Sequence, residues 1–226
     1  MPVYRLIKEV VFPPAEHAHS SGLLAIGGDL SPARLLEAYR RGIFPWYSQN
    51  EPILWWSPDP RLIFDFADFK ISRSLRKTLK KEIFRVTFDQ AFSRVIQACA
   101  TVPRDGQPGT WITDEMRQAY ERLHRLGYAH SVETWLDGEL VGGLYGVSLG
   151  KAFFGESMFH QRTDASKVAL AALVERLKAW DFDFIDAQMT TEHLLRLGGK
   201  ELPRRIFLER LGEALKKPTK KGKWKA

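Results

Sequence analysis

The stretch HSVETWLDGELVGGLYGVSLGKAFFGESMF runs from His130 to Phe159 and decides the fold. It is rich in Val, Trp, Tyr and Phe, side chains that fit a pleated, half-buried surface. Asp137-Gly138 and Leu149-Gly150 interrupt it. An Asp-Gly pair supplies the left-handed backbone that a tight hairpin turn requires. The stretch therefore reads as three strands joined by two short turns. DASKVALAALVERLKAW (Asp164–Trp180) follows as an amphipathic helix, and DFDFIDAQM (Asp181–Met189) as a further strand.

The same reading extends both ways. Upstream, ISRSLRKTLKKEIFRVTFD is a basic helix and a short strand, and QAFSRVIQACA is a helix. VPRDGQPGT is a loop by composition. WITDEMRQAYERLHRLGYA is a helix that Thr113 can cap and Gly127 can stop. Downstream, TEHLLRLGG is a short helix, and LPRRIFLERLGEALKK a last strand or turn and a helix. From about residue 85 the order is β-α-α-β-β-β-α-β-α. Three strands, a helix and one more strand is the order of a GNAT-type acyltransferase. The expected class is mixed α/β (α+β).

A different kind of segment precedes that unit. RGIFPWYSQNEPILWWSPDPR (Arg41–Arg61) carries five aromatic residues and four prolines. Proline fixes φ and turns its predecessor away from helix, so the segment must be extended or turned. Before it, GLLAIGGDLSPARLLEAYRRG is a glycine-rich turn and a helix. Asp29 or Ser31 can cap that helix, with Pro32 in its first turn and Gly42 at its end. We therefore expect a smaller N-terminal domain over residues 1–62 and a GNAT-like domain over 63–215. Residues 216–226, KKPTKKGKWKA, are expected to form a disordered basic tail.

Composition bounds the function. The 226 residues carry a net charge of +7 and are 44% hydrophobic, enough for a buried core and favourable to an anionic partner. The single cysteine, Cys99, lies in apolar VIQACATV and reads as a buried structural thiol in a reducing compartment. No stretch approaches a membrane span. A cytoplasmic protein is expected. His17 and His19 lack an accompanying ligand set, so no metal is expected. Ser157 lacks the flanking glycines of a nucleophile elbow.

Acyl transfer from coenzyme A fits poorly. FHQRTDASKVAL has no glycine between Phe159 and Leu170, where backbone would have to approach a pyrophosphate closely. Nucleic acid fits better. Arg73, Arg76, Lys77, Lys80 and Lys81 fall on one broad helical face, which is either a solvated face or a phosphate-following one. Trp46 and Trp111 sit in a turn or at an element start, where they could stack on unpaired bases, whereas Trp55 and Trp56 read as core. Alternation puts Phe184, Asp186 and Gln188 on one face of their strand. A carboxylate and an amide in an apolar strand need partners, and Glu156 in FFGESMF poses the same problem. These residues form either hydrogen-bonded structural pairs or a site in which an acid orients an amine and an amide steadies an oxyanion.

GLLAIGGDLSPARLLEAYRRGIFPWY, PILWWSPDPR, GTWIT, GYAHSVETW, LVGGLYGVSLGKAFFGESMF, DASKVAL and FIDAQM, in that order over residues 11–208, resemble the leucyl/phenylalanyl-tRNA–protein transferase family. The resemblance implies transfer of leucine or phenylalanine, and methionine less well, from aminoacyl-tRNA to proteins with N-terminal arginine or lysine. The new N-terminus marks them for N-degron degradation. It implies Trp46 and Trp111 at the terminal adenosine, and Arg76, Lys77, Lys80 and Lys81 at the acceptor stem. Asp186 and Gln188 are implied as the catalytic pair with Glu156 as a nearby acid. Leu144, Phe153, Met158, Leu170 and Ile185 are implied as the donor side-chain pocket. An aminoacyl ester is already activated, so no cofactor or metal is implied. The partners are aminoacyl-tRNA and the acceptor protein, without a membrane, and the enzyme is expected as a monomer.

Overall fold

Asp137 and Gly138 both take positive φ, 51° and 84°, and fold the central stretch back on itself. The computed structural model describes residues 3–102 and 111–225. From residue 103 on, the loop expected at 102–110 lies outside the described residues. Around the Asp137-Gly138 turn, β7 (Ala129–Leu136), β8 (Glu139–Leu149) and β9 (Ala152–His160) form an antiparallel meander. Helix α5 (Ala165–Ala179) then crosses one face of the sheet and returns the chain as β10 (Phe184–Gln188), parallel to β9. A parallel neighbour demands such a crossover. The expected order of three strands, helix and strand is thus present.

Three further strands complete the sheet: β6 (Arg85–Phe88) beside β7, β5 (Arg61–Phe64) antiparallel to β10, and β11 (Lys200–Leu202) at the edge. The order is β11-β5-β10-β9-β8-β7-β6. A second sheet holds the N-terminal region, with β1 (Tyr4–Leu6), β2 (Leu23–Gly27), β4 (Leu54–Trp56) and β3 (Phe44–Pro45) in spatial order. The aromatic and proline-rich segment supplies β3 and β4, as its extended bias requires.

Helix α1 (Pro32–Arg40) has Pro32 in its first turn and is capped by Ser31, whose side chain accepts from Arg34 N–H. Helices α2 (Arg73–Lys80) and α3 (Phe92–Thr101) precede α4 (Asp114–Arg125), which Thr113 caps. The short α6 (Glu192–Arg196) and α7 (Arg204–Leu215) close the chain's helical part. Sheet residues alternate between two cores. Val132, Leu144, Phe153 and Ile185 lie under Leu170, Leu173 and Leu177 of α5. On the other face Tyr145, Val147, Phe154 and Phe184 join Val95 of α3, Tyr120 of α4 and Phe207 of α7. That second core runs on into Leu35, Tyr39 and Trp55, so the N-terminal region shares it. Cys99 is buried on α3. Among the described residues, no helix is long and apolar enough to cross a membrane.

The C-terminal tail departs from expectation. It is not a free basic extension, because Trp224 is only 2% exposed and packs into the α5-side core. Composition pointed to solvent because lysines dominate the segment, but a single indole outweighs them by burying a large apolar area. The ammonium groups of Lys220 and Lys221 lie over the rings of Trp180 and Tyr128, at 4.2 and 4.6 Å.

Candidate active site

Strands β9 and β10 pair only at Ala152–Phe154 with Phe184–Asp186. Each then carries a bulge. In β9, Gly155 pairs with Gly146 and Ser157 with Tyr145, leaving Glu156 as the extra residue. In β10, Asp186 pairs with Ile63 and Gln188 with Leu62, leaving Ala187 between them. Bulges re-aim side chains. Gln188 also takes φ +58°, the left-handed region that a side chain adopts at a cost. Simple alternation therefore fails at Gln188. Its amide Nε2 donates across the gap to Glu156 Oε1 at 2.9 Å.

Asp186 is held at the root of this gap, with no solvent exposure. Arg61 Nε donates to Oδ1 at 2.8 Å and Arg61 Nη2 to Oδ2 at 2.7 Å. Such a bidentate pair has both strength and fixed direction. Gln188 N–H donates to Oδ1 at 2.9 Å and closes the bulge. Arg61 is itself enclosed. Its Nη1 donates to Gly42 O at 3.1 Å, and its guanidinium lies 4.9 Å from the Phe44 ring and 4.6 Å from that of Phe207. One guanidinium thus joins the N-terminal region, β10 and α7.

Glu156 accepts three hydrogen bonds. Tyr39 Oη and Gln188 Nε2 donate to Oε1, at 2.8 and 2.9 Å, and Tyr120 Oη donates to Oε2 at 2.8 Å. The two tyrosine hydroxyls also lie against each other, but with one proton each they do not hydrogen-bond mutually while both donate to Glu156. Burial disfavours the carboxylate, and the charge of Asp186 adds to this, whereas the three donors favour it. Burial prevails, and the Glu156 pKa is raised to about 7. Burial and the Glu156 charge lift both tyrosines well above their ordinary value.

Two pockets meet at this cluster, and both are lined by Glu156, Ala187 and Gln188. The larger has a volume of about 640 Å³ and contains all five expected pocket residues, Leu144, Phe153, Met158, Leu170 and Ile185. Gly146 makes room for one wall, since a Cβ there would lie 2.5 Å from the Phe153 ring. The smaller, about 230 Å³, is lined by both Trp46 and Trp111. Each of these tryptophans is half-buried, whereas Trp55 is fully buried and donates Nε1–H to Gly27 O. Trp56 is half-buried and packs edge-on against Trp46.

The basic residues stand apart from this cluster. Arg73, Arg76, Lys77, Lys80 and Lys81 are all exposed along and just beyond α2, while Leu75 anchors that helix. Among the described residues, none of the five has an ion-pair partner. Thr78 Oγ1 donates to Asp164 Oδ2 at 2.9 Å and ties α2 to the start of α5.

Sequence reasoning missed Arg61, Tyr39 and Tyr120. Tyr39 and Tyr120 belong to apolar helical stripes and carry no signal of a polar role. Arg61 ends a proline-rich turn, and its partner lies 125 residues away.

The family described as leucyl/phenylalanyl-tRNA protein transferase matches residues 63–212, and that described as its N-terminal domain matches residues 28–59. A leucyl/phenylalanyl-tRNA–protein transferase from Desulfatibacillum aliphaticivorans is 59% identical over 99% of this chain and 96% of its own length. One from Myxococcus xanthus is 58% identical over 99% of this chain and 97% of its own. Among solved structures, an aminoglycoside acetyltransferase from an uncultured soil metagenomic sample has 16% identity over 50% of this chain and 84% of its own, with a TM-score of 0.37.

The Arg61–Asp186 pair yields a stability prediction. Removing one partner of a buried ion pair leaves the other charge uncompensated, at about 3–5 kcal/mol. Arg61→Met and Asp186→Asn should each lower the unfolding free energy from urea titration by about 3–5 kcal/mol. The double variant, with no net buried charge, should be clearly more stable than the sum of the two losses. Additive losses in urea titrations would show that the two side chains act independently.

Proposed function

The chain belongs to the leucyl/phenylalanyl-tRNA–protein transferase family, and we propose that its two joined pockets receive the two parts of an aminoacyl-adenosine terminus. It is an aminoacyltransferase that moves leucine or phenylalanine from tRNA to proteins with N-terminal arginine or lysine, which makes those proteins substrates of N-degron degradation. The observation that carries the assignment of parts is the junction itself. An apolar pocket and a two-tryptophan cleft open onto the same Glu156–Gln188 pair.

In this reading the donor side chain enters the apolar pocket. Leucine, phenylalanine and, less well, methionine suit a wall of Leu144, Phe153, Met158, Leu170 and Ile185, and a charged side chain would lose its hydration there. The terminal adenine lies between Trp46 and Trp111, where stacking contributes about 1–3 kcal/mol per base. The acceptor stem follows Arg76, Lys77, Lys80 and Lys81, which act as point charges without reading sequence. Residues 1–62 contribute Trp46 to the cleft, and residues 63–215 contribute Trp111, the apolar pocket and the acids. A substrate charged in the cytoplasm argues for that compartment.

The reaction forms a C–N bond and breaks a C–O bond. The neutral α-amine of the acceptor attacks the ester carbonyl, and the ribose oxygen leaves. The amine loses one proton and the ribose oxygen gains one. Asp186 is poorly placed to take that proton, because it is paired with a cation, Arg61, and lines neither pocket, whereas Glu156 has only neutral donors and lines both. We assign it a positioning role instead: it closes the bulge that aims Gln188. Gln188 gives its amide hydrogen to Glu156, which leaves its carbonyl oxygen for an N–H of the attacking amine. Glu156 is the proton acceptor in this scheme. A pKa of about 7 suits both taking a proton from the amine and returning one to the leaving oxygen.

The test is a pH profile. The free α-amine titrates near about 7.7–8.0, and Glu156 near about 7. Both must be deprotonated, so log kcat/KM should rise with a slope approaching 2 well below pH 7, then about 1, then flatten. Glu156→Gln should leave a slope of 1 throughout the acid limb and lower the plateau by about 10²–10⁴-fold. A slope of 1 in the wild-type enzyme would remove Glu156 as proton acceptor.

Two further outcomes follow from the pockets and the helix. Replacing Lys80 and Lys81 with alanine should raise KM for aminoacyl-tRNA and reduce the salt slope of binding by up to about one unit for each phosphate no longer neutralised. The thermal midpoint should not move, since both side chains are exposed. An unchanged slope would make α2 a solvated face only. Enlarging the wall by Leu144→Trp should suppress phenylalanine transfer more than leucine transfer. Equal suppression would place Leu144 outside the pocket.

A further inference from the structure

The C-terminal tail has no part in the mechanism above, yet its Trp224 packs near Phe153, a wall of the donor pocket. We propose that Trp224 is a specificity-determining positioning residue: it backs Phe153 from behind and so sets how deep the donor side chain can reach. The inference rests on reading the apolar pocket as the donor side-chain site.

Trp224 is held from several sides. Its backbone N–H donates to Asp89 Oδ2 at 2.7 Å, and its indole stacks on His130 with centroids 3.8 Å apart and planes 8° from parallel. Trp180 meets it edge-on at 5.1 Å. The chain just before it is clamped too. Gly222 N–H donates to Gly127 O at 3.1 Å, and a Cβ on Gly127 would lie 2.4 Å from Gly222 N. Gly127 is therefore needed for the tail's passage as well as for its own φ of +78°. Asp89 in turn fixes His130 through Nδ1 at 2.8 Å, so the stacking surface is rigid.

Phe153 is the link to the pocket. Its ring lines the donor cavity and lies 5.8 Å, centroid to centroid, from that of Trp224. The backbone at Gly146 also lies close against this ring, where a Cβ would come within 2.5 Å of it. A close-packed interior transmits such a contact, because no void absorbs a shift. With the indole in place, Phe153 cannot move back when a bulky donor enters. With the indole gone, a space opens behind it, and a larger donor can push Phe153 into that space. A smaller donor has no need to do so.

The experiment uses the full-length enzyme and compares kcat/KM for leucyl-, phenylalanyl- and tryptophanyl-tRNA on one arginine-initiated peptide. Trp224→Ala should raise the phenylalanine-to-leucine ratio by about tenfold, the scale of one methylene in an apolar pocket, and should make tryptophan transfer measurable. Trp224→Phe, which keeps a ring in the slot, should fall between the two and guards against a fold too weak to assay. If the ratio stays within about twofold of wild type in both variants while the melting temperature falls, the tail serves stability alone and the proposal is overturned. The Leu144→Trp variant separates this failure from failure of the pocket reading. A changed donor ratio there, with none in the Trp224 variants, overturns only the role of the tail. No change in either set overturns the pocket assignment as well.

Discussion

Everything in the site depends on two parallel strands that start together and part. The ladder between β9 and β10 ends at Phe154 and Asp186, and the backbone beyond it must find other partners. Part of that need is met locally. Gln188 N–H turns to the Asp186 carboxylate and Met189 N–H to Ala187 O. The rest is left facing a cavity. A continued ladder would close that cavity, pair the Glu156 and Gln188 backbones with each other, and leave neither side chain aimed at a shared point. The bulges, one on each strand, aim Glu156 and Gln188 at each other across the opening.

A split sheet is a weak place unless something holds its root. The Arg61–Asp186 pair does this from inside the protein, and it is an unusual way to do so. Desolvating two charges opposes folding, and a buried pair offsets that cost only when its geometry leaves few donors and acceptors unmet. Here Arg61 gives two hydrogen bonds to Asp186 and one to Gly42 O. Two aromatic faces take the place of water around it. The arrangement also separates the acids by role. Asp186 is neutralised by a fixed cation, whereas Glu156, within its field, has only neutral donors around it and is pushed up to about 7. Two carboxyl groups on neighbouring strands thus acquire different chemistry from their partners alone.

Much of this was legible from the chain, and the limit falls between local and distant causes. The Asp137-Gly138 turn, the Ser31 and Thr113 caps and the crossover after β9 are written in neighbouring residues, and each stands where spacing put it. The bulge at Gln188 is not, because period two is broken by pairing with Leu62 and Ile63, far away in the chain. Arg61 was hidden for the same reason. In SPDPR it looks like a solvated turn residue, and only the folded sheet brings it to Asp186. The tail failed differently. Six lysines in eleven residues set its composition, and one tryptophan set its structure.

The proline-rich segment shows how a stretch that cannot be helical becomes useful to a site. Its prolines keep it extended, so its aromatic side chains fall on both sides of a short sheet instead of along one helical stripe. Trp55 goes to the core, where Phe12 meets it edge-on at 4.9 Å. Trp56 does an intermediate job: its Nε1–H donates to Trp46 O at 2.6 Å while its ring packs against that of Trp46. Trp46 is thereby fixed in backbone and side chain and still half-exposed to the cleft. Phe44 lies two residues earlier and faces Arg61, so the strand that leads into Trp46 also covers the ion pair under the Gln188 bulge. The placement of the tryptophan cleft and the aim of Gln188 are therefore not independent. Both are referred to one short strand, β3, and a shift of that strand would disturb Trp46 and the Gln188–Glu156 contact together.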